Sequence, residues 1–237
     1  MDNRQTTARA DGVRGARITP AMEDYLKAIF RIEHDGREVT NQRLTEELGL
    51  SGASVSNMLK RLHELHLVEY TPYKAISLTD AGNAVALEVI RHHRLLELFL
   101  AQALGMDIDQ VHAEADRLEH HVSEELERRI EHALGYPEFD PHGHPIPTRA
   151  GTLPVIPDVP LTDLVEGESG IVSRLSDRNE ENLREVRSWK IAPGSQLTLT
   201  EVTDSHYLTQ IDASEPVRIP RATAESILVL RPEQITS

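Results

Sequence analysis

The stretch Asp107–Leu134, DIDQVHAEADRLEHHVSEELERRIEHAL, decides the fold of this chain. Its apolar residues recur four or seven residues apart, which is the spacing of one face of an α-helix. These residues are Val111, Leu118, Val122, Leu126, Ile130 and Leu134. The spacing therefore predicts one helix over the whole stretch.

Four side chains that can bind a metal ion lie beside this apolar stripe: His112, Asp116, Glu119 and His120. On a helix their offsets place them within an arc of roughly 120°, so they can converge on one ion. A solvated, charged helix face would also explain such residues. The stretch by itself does not decide between the two interpretations.

The composition is that of a globular protein, with 39% hydrophobic and 27% charged residues among 237, enough for one or two domains. There is no cysteine, which excludes disulfides, thiolate nucleophiles and thiolate metal sites. Any metal ion must be held by imidazole nitrogen and by oxygen. The sequence has no run of 18 apolar residues, and its first 17 residues lack the apolar centre of a signal peptide. We therefore expect a cytoplasmic protein that does not contact a membrane.

The net charge of −14 is unevenly distributed along the chain. Residues 1–75 carry 11 basic and 11 acidic side chains, whereas residues 76–237 carry 14 basic and 28 acidic ones. Because phosphate contacts depend on the local field, the neutral N-terminal third can bind DNA despite the acidic remainder.

Three short helices are predicted in this N-terminal third. Thr19 and Pro20 begin the first, which extends to His34, and Thr40 begins the second. Ser51 begins the third, after a turn that contains Gly49. Two helices joined across such a short turn are typical of a helix-turn-helix.

The third helix leaves a polar face exposed that suits DNA bases and phosphates. Two short strands, Leu67–Tyr70 and Ala75–Leu78, follow it and predict a wing. The candidate DNA-binding residues on the helix and at the wing tip are Ser51, Ser54, Ser56, Asn57, Lys60, Arg61, Tyr73 and Lys74. A helical domain for protein contacts remains the alternative.

A long fourth helix is predicted from Thr79-Asp80 to about Leu104. It carries more apolar surface than one packing partner needs, which favours a homodimer. It also contains His93 and Glu97, four residues apart, which can chelate one ion from one helix face. Taken alone, however, that pair is better explained by a surface hydrogen bond.

Several motifs resemble the metal-dependent repressors of the diphtheria toxin repressor and manganese transport regulator family. The motifs lie within residues 19–147 and are MEDYLKAIF (22–30), RHHRLLELFL (91–100), VHAEADRLEHHVSEELERRI (111–130) and GHPIP (143–147). The resemblance implies a winged helix domain followed by a helical dimerisation domain with two metal positions. It places the primary position on Asp24, Asp116, Glu119 and His120, and the ancillary position on His93, Glu97 and His112.

Two departures from the family pattern bear on the metal. Iron-responsive members have a methionine and a cysteine where this chain has Asp24 and Asp116, which argues for a harder ion here. Manganese-type members have a glutamate at the position of Lys27, and an ammonium cannot bind a metal ion. Glu23 is a candidate substitute for that glutamate.

After GHPIP the sequence predicts a linker over residues 148–160 and then a small SH3-like (FeoA-like) β-barrel over residues 161–237. Short alternating stretches supply its strands, and Glu180–Trp189 supplies one helix. The resemblance implies that this domain can lend an oxygen ligand to the ancillary metal, with Asn179, Glu180 and Glu181 as candidates. The fold class expected is thus mainly α with a small β domain, divided at residues 1–78, 79–147, 148–160 and 161–237.

Three functions remain open. A metal-sensing repressor explains the wing, the metal ligands and the divided charge together. A metallohydrolase would explain only the ligands, and a winged helix regulator that senses a small molecule would leave them unexplained. We expect the first, a protein that is not an enzyme and has no small-molecule substrate. It would bind double-stranded operator DNA as a homodimer loaded with Mn²⁺, or alternatively Fe²⁺, and would repress metal-uptake genes. Co²⁺, Ni²⁺, Zn²⁺ or Cd²⁺ would act as surrogate ions.

Overall fold

A computed structural model of the protein describes residues 18–71, 74–212 and 214–234. It divides into two compact units, the first comprising the residues up to Ile90 with Arg149–Thr152, and the second comprising Arg91–Thr148 and the residues from Leu153 onward. The division falls inside a long helix. The domain boundary predicted at residue 78 remains a prediction.

The first unit contains the predicted helix-turn-helix. Helices α1 (Pro20–His34), α2 (Asn41–Leu48) and α3 (Gly52–Glu64) begin after Thr19, Thr40 and Ser51, whose side chains accept hydrogen bonds from backbone N–H groups in the first turn. Gly49 ends α2 at φ +64°, a left-handed conformation that glycine adopts without steric cost. Local capping signals therefore determine all three helix starts, as predicted.

The apolar faces of these helices meet in one core. Leu26 and Ile29 of α1, Leu44 of α2, and Val55 and Leu59 of α3 are completely buried. Each such side chain contributes roughly 1.5–3 kcal/mol through removal from water. Because this core uses the inner face of α3, the opposite, polar face is left to solvent.

The wing is shorter than predicted. Strands β1 (Val68–Glu69) and β2 (Ser77–Leu78) pair antiparallel, with Val68 opposite Leu78. At the tip, Lys74 is exposed, whereas the candidate residue Tyr73 lies outside the described residues.

Helix α4 (Asp80–Leu104) has the predicted length, and Thr79 accepts a hydrogen bond from the N–H of Gly82 at its start. Most of its apolar surface is covered within the single chain, since Leu87, Leu95 and Leu98 are at most 6% exposed. Leu104 at its end is 61% exposed, so only this end of the helix leaves apolar surface for a second copy. Neither α4 nor any other helix among the described residues is long and apolar enough to cross a membrane.

The prediction of one helix over Asp107–Leu134 is also wrong. The chain forms α5 (Ile108–Leu118), a 3₁₀ turn at Glu119–His121 and a separate α6 (Glu124–Ala133). Val122 is extended, and the Ser123 side chain accepts from the N–H of Leu126, which begins a new helix. The apolar spacing continues across the break and conceals it.

An ion-pair network holds α4 against α6. The buried Arg91 guanidinium donates to Glu127 at 2.7 Å, to Glu131 at 2.6 Å and to the Pro147 carbonyl at 2.7 Å. Burial by itself would raise the pKa of Glu127, but hydrogen bonds from His92 and Arg91 outweigh it and lower the pKa to about 2. The network therefore stabilises the folded helical part mainly through the ionised form of Glu127.

The C-terminal part of the second unit is a six-stranded antiparallel sheet in the order β3-β8-β4-β5-β6-β7. The strands are β3 (Val159–Pro160), β4 (Ser169–Leu175), β5 (Gln196–Val202), β6 (His206–Ile211), β7 (Val217–Pro220) and β8 (Ile227–Leu230). Helices α7 (Glu180–Ser188), which was predicted, and α8 (Arg221–Ala224) complete it. Val159–Pro160, assigned to the linker, instead pairs with β8. The predicted fold class, mainly α with a small β domain, is confirmed.

We expect Glu127→Gln to lower the free energy of unfolding by up to about 3 kcal/mol at neutral pH, because the folded protein loses its preference for the ionised carboxylate. The loss should be full above the unfolded pKa of 4.5 and should vanish as the pH falls toward 2. Denaturant unfolding of metal-free protein at several pH values measures this.

Glu125→Gln is the matched control on the same helix, because Glu125 is exposed and its ion-pair partners among the described residues, Arg128 and Arg129, lie at the surface. It should leave the unfolding free energy nearly unchanged. Equal effects of the two substitutions would contradict a stabilising role for the Arg91 network.

Candidate metal centre

Three predicted ligands meet between α4 and α5. His93 and Glu97 lie one turn apart on α4, and His112 lies on α5. The Nε2 atom of His93, the Oε1 atom of Glu97 and the Nδ1 atom of His112 are each 3.0 Å from the other two. Three donor atoms thus face one common point.

The β domain adds a fourth residue that sequence reasoning missed. The Oδ2 atom of Asp177 lies 3.4 Å from His112 Nδ1, and a donor atom from each of these four residues lies within 4.8 Å of the others. We call His93, Glu97, His112 and Asp177 the α4–α5 cluster.

Ion pairs between α5 and α7 hold the β domain in place beside this cluster. Asp109 accepts from Arg184 at 2.8 Å and from Arg187 at 3.0 Å.

The three candidates expected from this domain lie elsewhere. Asn179 caps α7 with its side-chain oxygen, Glu180 pairs with Arg184, and Glu181 is exposed. No local sequence signal distinguishes Asp177, because only the packing of α7 on α5 brings it to His112.

The second ring nitrogen of His93 faces another set of carboxylates. Its Nδ1 atom lies 2.6 Å from Glu119 and 3.2 Å from Asp116, and we call these three residues the turn group. His120 Nε2 lies 3.6 Å from the other oxygen of Glu119. The 3₁₀ turn therefore presents Glu119 and His120. The four residues of the predicted arc are divided between two neighbouring groups of donors, which His112 and Asp116 connect through a contact of 3.6 Å between His112 Nε2 and Asp116 Oδ2.

Electrostatics at Glu97 are unusual because its side chain is completely buried. Burial by itself would raise the pKa of Glu97, but the charge of His93 and hydrogen bonds with His112, His142 and His93 lower it well below the usual range. Burial likewise would lower the pKa of His142, but contact with Glu97 and the charges of Glu97, Asp140 and Asp177 raise it to about 9. The interior thus holds an ionised carboxylate that depends on nearby positive charge.

The donor atoms of the α4–α5 cluster fit a divalent metal ion. Imidazole nitrogen and carboxylate oxygen bind such ions at about 2.0–2.2 Å, and mutually facing donors 3.0 Å apart leave room for one ion between them. His93 is oriented as metal-binding histidines commonly are, since its second nitrogen contacts a carboxylate.

The remaining predicted ligand, Asp24, lies exposed on α1 in the first unit. On the same helix Lys27 is buried and Glu23 is half-buried. The roles of these three residues toward a metal stay predictions.

The candidate DNA-binding surface is the outer face of α3. Ser51, Ser54, Asn57, Lys60 and Arg61 are exposed there. Ser56 is half-buried and accepts a hydrogen bond from Asn41 of α2 at 2.9 Å. Its hydroxyl therefore joins the two helices of the motif in addition to any contact with DNA.

Comparison with known families identifies all three parts of the chain. Residues 17–76 match the iron dependent repressor N-terminal DNA binding domain, and residues 79–148 match the metal binding and dimerisation domain of the same repressors. The chain belongs to the iron-dependent repressor family. Residues 159–231 match the FeoA domain, so the β domain of this repressor is the FeoA-like domain that the sequence predicts.

Individual relatives cover most of this repressor. The iron-dependent repressor IdeR of Mycobacterium tuberculosis is 30% identical over 224 residues, which are 90% of this chain and 97% of IdeR. The diphtheria toxin repressor of Corynebacterium efficiens is 38% identical over 154 residues, 65% of this chain and 64% of that protein. A solved manganese-dependent transcriptional repressor in complex with manganese is 36% identical, with a TM-score of 0.84 over 89% of this chain and 99% of its own.

These findings confirm the resemblance seen in the sequence. The protein is a metal-dependent transcriptional repressor with a DNA-binding and a dimerisation domain, and it is not an enzyme. Its relatives include both iron-dependent and manganese-dependent repressors, so membership of the family leaves the ion open.

We expect Asp177→Asn to weaken metal binding at the α4–α5 cluster by about tenfold or more, because a neutral amide is a poorer ligand than a carboxylate. Isothermal titration calorimetry with Mn²⁺ measures the affinity. Asp204→Asn, which changes an exposed aspartate between β5 and β6, is the control. Equal affinities of the two variants would show that Asp177 does not bind the ion.

Proposed function

We propose that this protein is a manganese-responsive repressor that binds operator DNA as a metal-loaded homodimer and represses metal-uptake genes. The observation that carries the choice of ion is the chemistry of its donor set. Carboxylates of Glu97, Asp116, Glu119 and Asp177 surround the imidazoles of α4 and α5, and the chain contains no cysteine. Oxygen-rich sites without sulfur suit Mn²⁺.

The proposed switch joins the two units of the chain. The family resemblance assigns Asp24 of the first unit to the same ion as Asp116, Glu119 and His120 of the second. When bound, the ion supplies the positive charge that lets these carboxylates share one site. Asp24 would then hold the DNA-binding unit in the one arrangement that fits the operator, which raises the population of that arrangement.

A homodimer is supported by apolar side chains that the single chain leaves exposed. Leu104, Leu118 and Leu126 are 61%, 37% and 46% exposed and lie at the end of α4, in α5 and in α6. Two copies of α3 in such a dimer would enter successive major grooves about 34 Å apart.

Readout of the operator should depend on α3. Asn57→Ala should relax the preference at one base position by about 1–3 kcal/mol, because an amide can pair with adenine. Lys60→Ala changes a neighbour on the same face and should weaken binding to all DNA sequences alike. It should also lower the slope of log affinity against log salt concentration by about one unit. Binding assays on operator variants at several salt concentrations separate the two. Equal, sequence-independent losses would show that Asn57 reads no base.

The ion itself is tested by activation, since nearly all such sites bind Co²⁺, Ni²⁺ and Zn²⁺ more tightly than Mn²⁺. We expect Mn²⁺ to activate binding to the chain's own upstream DNA at lower free concentration than Fe²⁺ under anaerobic conditions. Asp116→Cys should shift the balance toward Fe²⁺, because thiolate is the softer ligand. Activation of the unmodified protein by Fe²⁺ at the lower concentration would make it an iron regulator instead.

A further inference from the structure

A second group of candidate ligands lies outside the α4–α5 cluster and the turn group. The loop Asp140-Pro141-His142-Gly143-His144, here called the histidine loop, follows α6 in the second unit. One donor atom each from Asp140, His142 and His144 lies within 4.8 Å of the others. All three side chains are buried or nearly so, at 0%, 0% and 12% exposed.

Unpartnered polar atoms gather at this loop. Among the buried side-chain atoms of the described residues that have no hydrogen-bond partner are Asp140 Oδ2, His142 Nδ1 and His144 Nδ1. A buried polar atom without a partner costs roughly 1–3 kcal/mol. Asp140 Oδ2 and His144 Nδ1 lie 3.3 Å apart without forming a hydrogen bond, and an ion held between them would satisfy both atoms.

The backbone fixes the loop in this conformation. The Oδ1 atom of Asp140 accepts from the N–H groups of His142 at 2.8 Å and His144 at 2.9 Å, which leaves Oδ2 for other contacts. Gly143 has φ +90°, and a Cβ atom there would lie 2.1 Å from the Ser173 carbonyl oxygen. The loop is therefore packed tightly against β4, and only glycine fits between its two histidines.

His142 can bind a metal ion through one ring nitrogen. Its Nε2 atom lies 3.1 Å from the Ile108 carbonyl oxygen. A carbonyl only accepts, so Nε2 donates to it, and a metal ion would bind at Nδ1 by displacing the proton on that nitrogen. The Nδ1 atom lies 3.6 Å from Oε2 of Glu97, which also has no hydrogen-bond partner among the described residues.

The local charge favours a cation. The carboxylates of Asp140 and Glu97 both face the histidines, and the Arg94 guanidinium approaches Asp140 Oδ2 at 3.8 Å. Buried carboxylates need compensating charge, and a divalent ion in place of the His142 proton would supply it.

We propose that Asp140, His142 and His144 bind a further divalent transition-metal ion, distinct from the ions of the α4–α5 cluster and the turn group. Two imidazole nitrogens and one carboxylate oxygen are the donor set of Zn²⁺ and Co²⁺ sites. This site therefore favours an ion of borderline softness such as Zn²⁺, whereas the oxygen-rich groups nearby favour a harder ion.

The number of bound ions tests this proposal. The full chain and its variants are loaded with Zn²⁺, freed of excess metal by gel filtration and weighed by native mass spectrometry. We expect His144→Asn to bind one zinc ion fewer per chain than the unmodified protein. His132→Asn, which changes an exposed histidine of α6, should bind the same number as the unmodified protein.

Asp140→Asn is the second variant, because its amide oxygen can still accept the two backbone N–H groups while the amide nitrogen cannot bind a metal. It should also lose one zinc ion, with an unchanged circular dichroism spectrum. Unchanged counts in both variants would overturn the proposal, as would the loss of more than one ion, which would make the loop part of the neighbouring clusters. The count uses no DNA, so its outcome is independent of whether Mn²⁺ activates the repressor.

Discussion

The second unit depends on one buried charge, the carboxylate of Glu97. Its side chain has no exposure to solvent, and the imidazoles of His93, His112 and His142 surround it. An ionised carboxylate in a protein interior is stable only when positive charge lies close by. His142 supplies such charge, because Glu97 and the neighbouring carboxylates raise its pKa to about 9.

His93 extends this constraint to the rest of the centre. One of its ring nitrogens faces Glu97 and His112, and the other faces Glu119 and Asp116. A change in charge at either group therefore alters the hydrogen bonding of a ring that both groups share. This shared imidazole gives a physical route by which an ion in the α4–α5 cluster influences the carboxylates proposed to bind the second ion.

Local signals in the sequence were sufficient for the DNA-binding motif. Thr19, Thr40 and Ser51 each begin a helix, because a capping side chain acts within its own first turn. The same signal at Ser123 begins α6, but the regular apolar spacing continues across it and conceals the break. Asp177 could not be predicted, because the packing of α7 on α5 places it beside His112. That packing depends on ion pairs between Asp109 and two arginines of α7 that lie 75 or more residues further along the chain.

We propose that a metal ion couples Asp24 of the DNA-binding unit to ligands of the second unit, and the substitution Asp24→Asn tests this most directly. Operator affinity is measured against free Mn²⁺ for this variant, for the unmodified protein and for Glu38→Gln, which removes one exposed negative charge from the same unit. The account predicts that Mn²⁺ raises the affinity of the unmodified protein and of the control by at least roughly tenfold, and that Asp24→Asn keeps its metal-free affinity but loses the increase. An undiminished response of Asp24→Asn to Mn²⁺ would contradict the account.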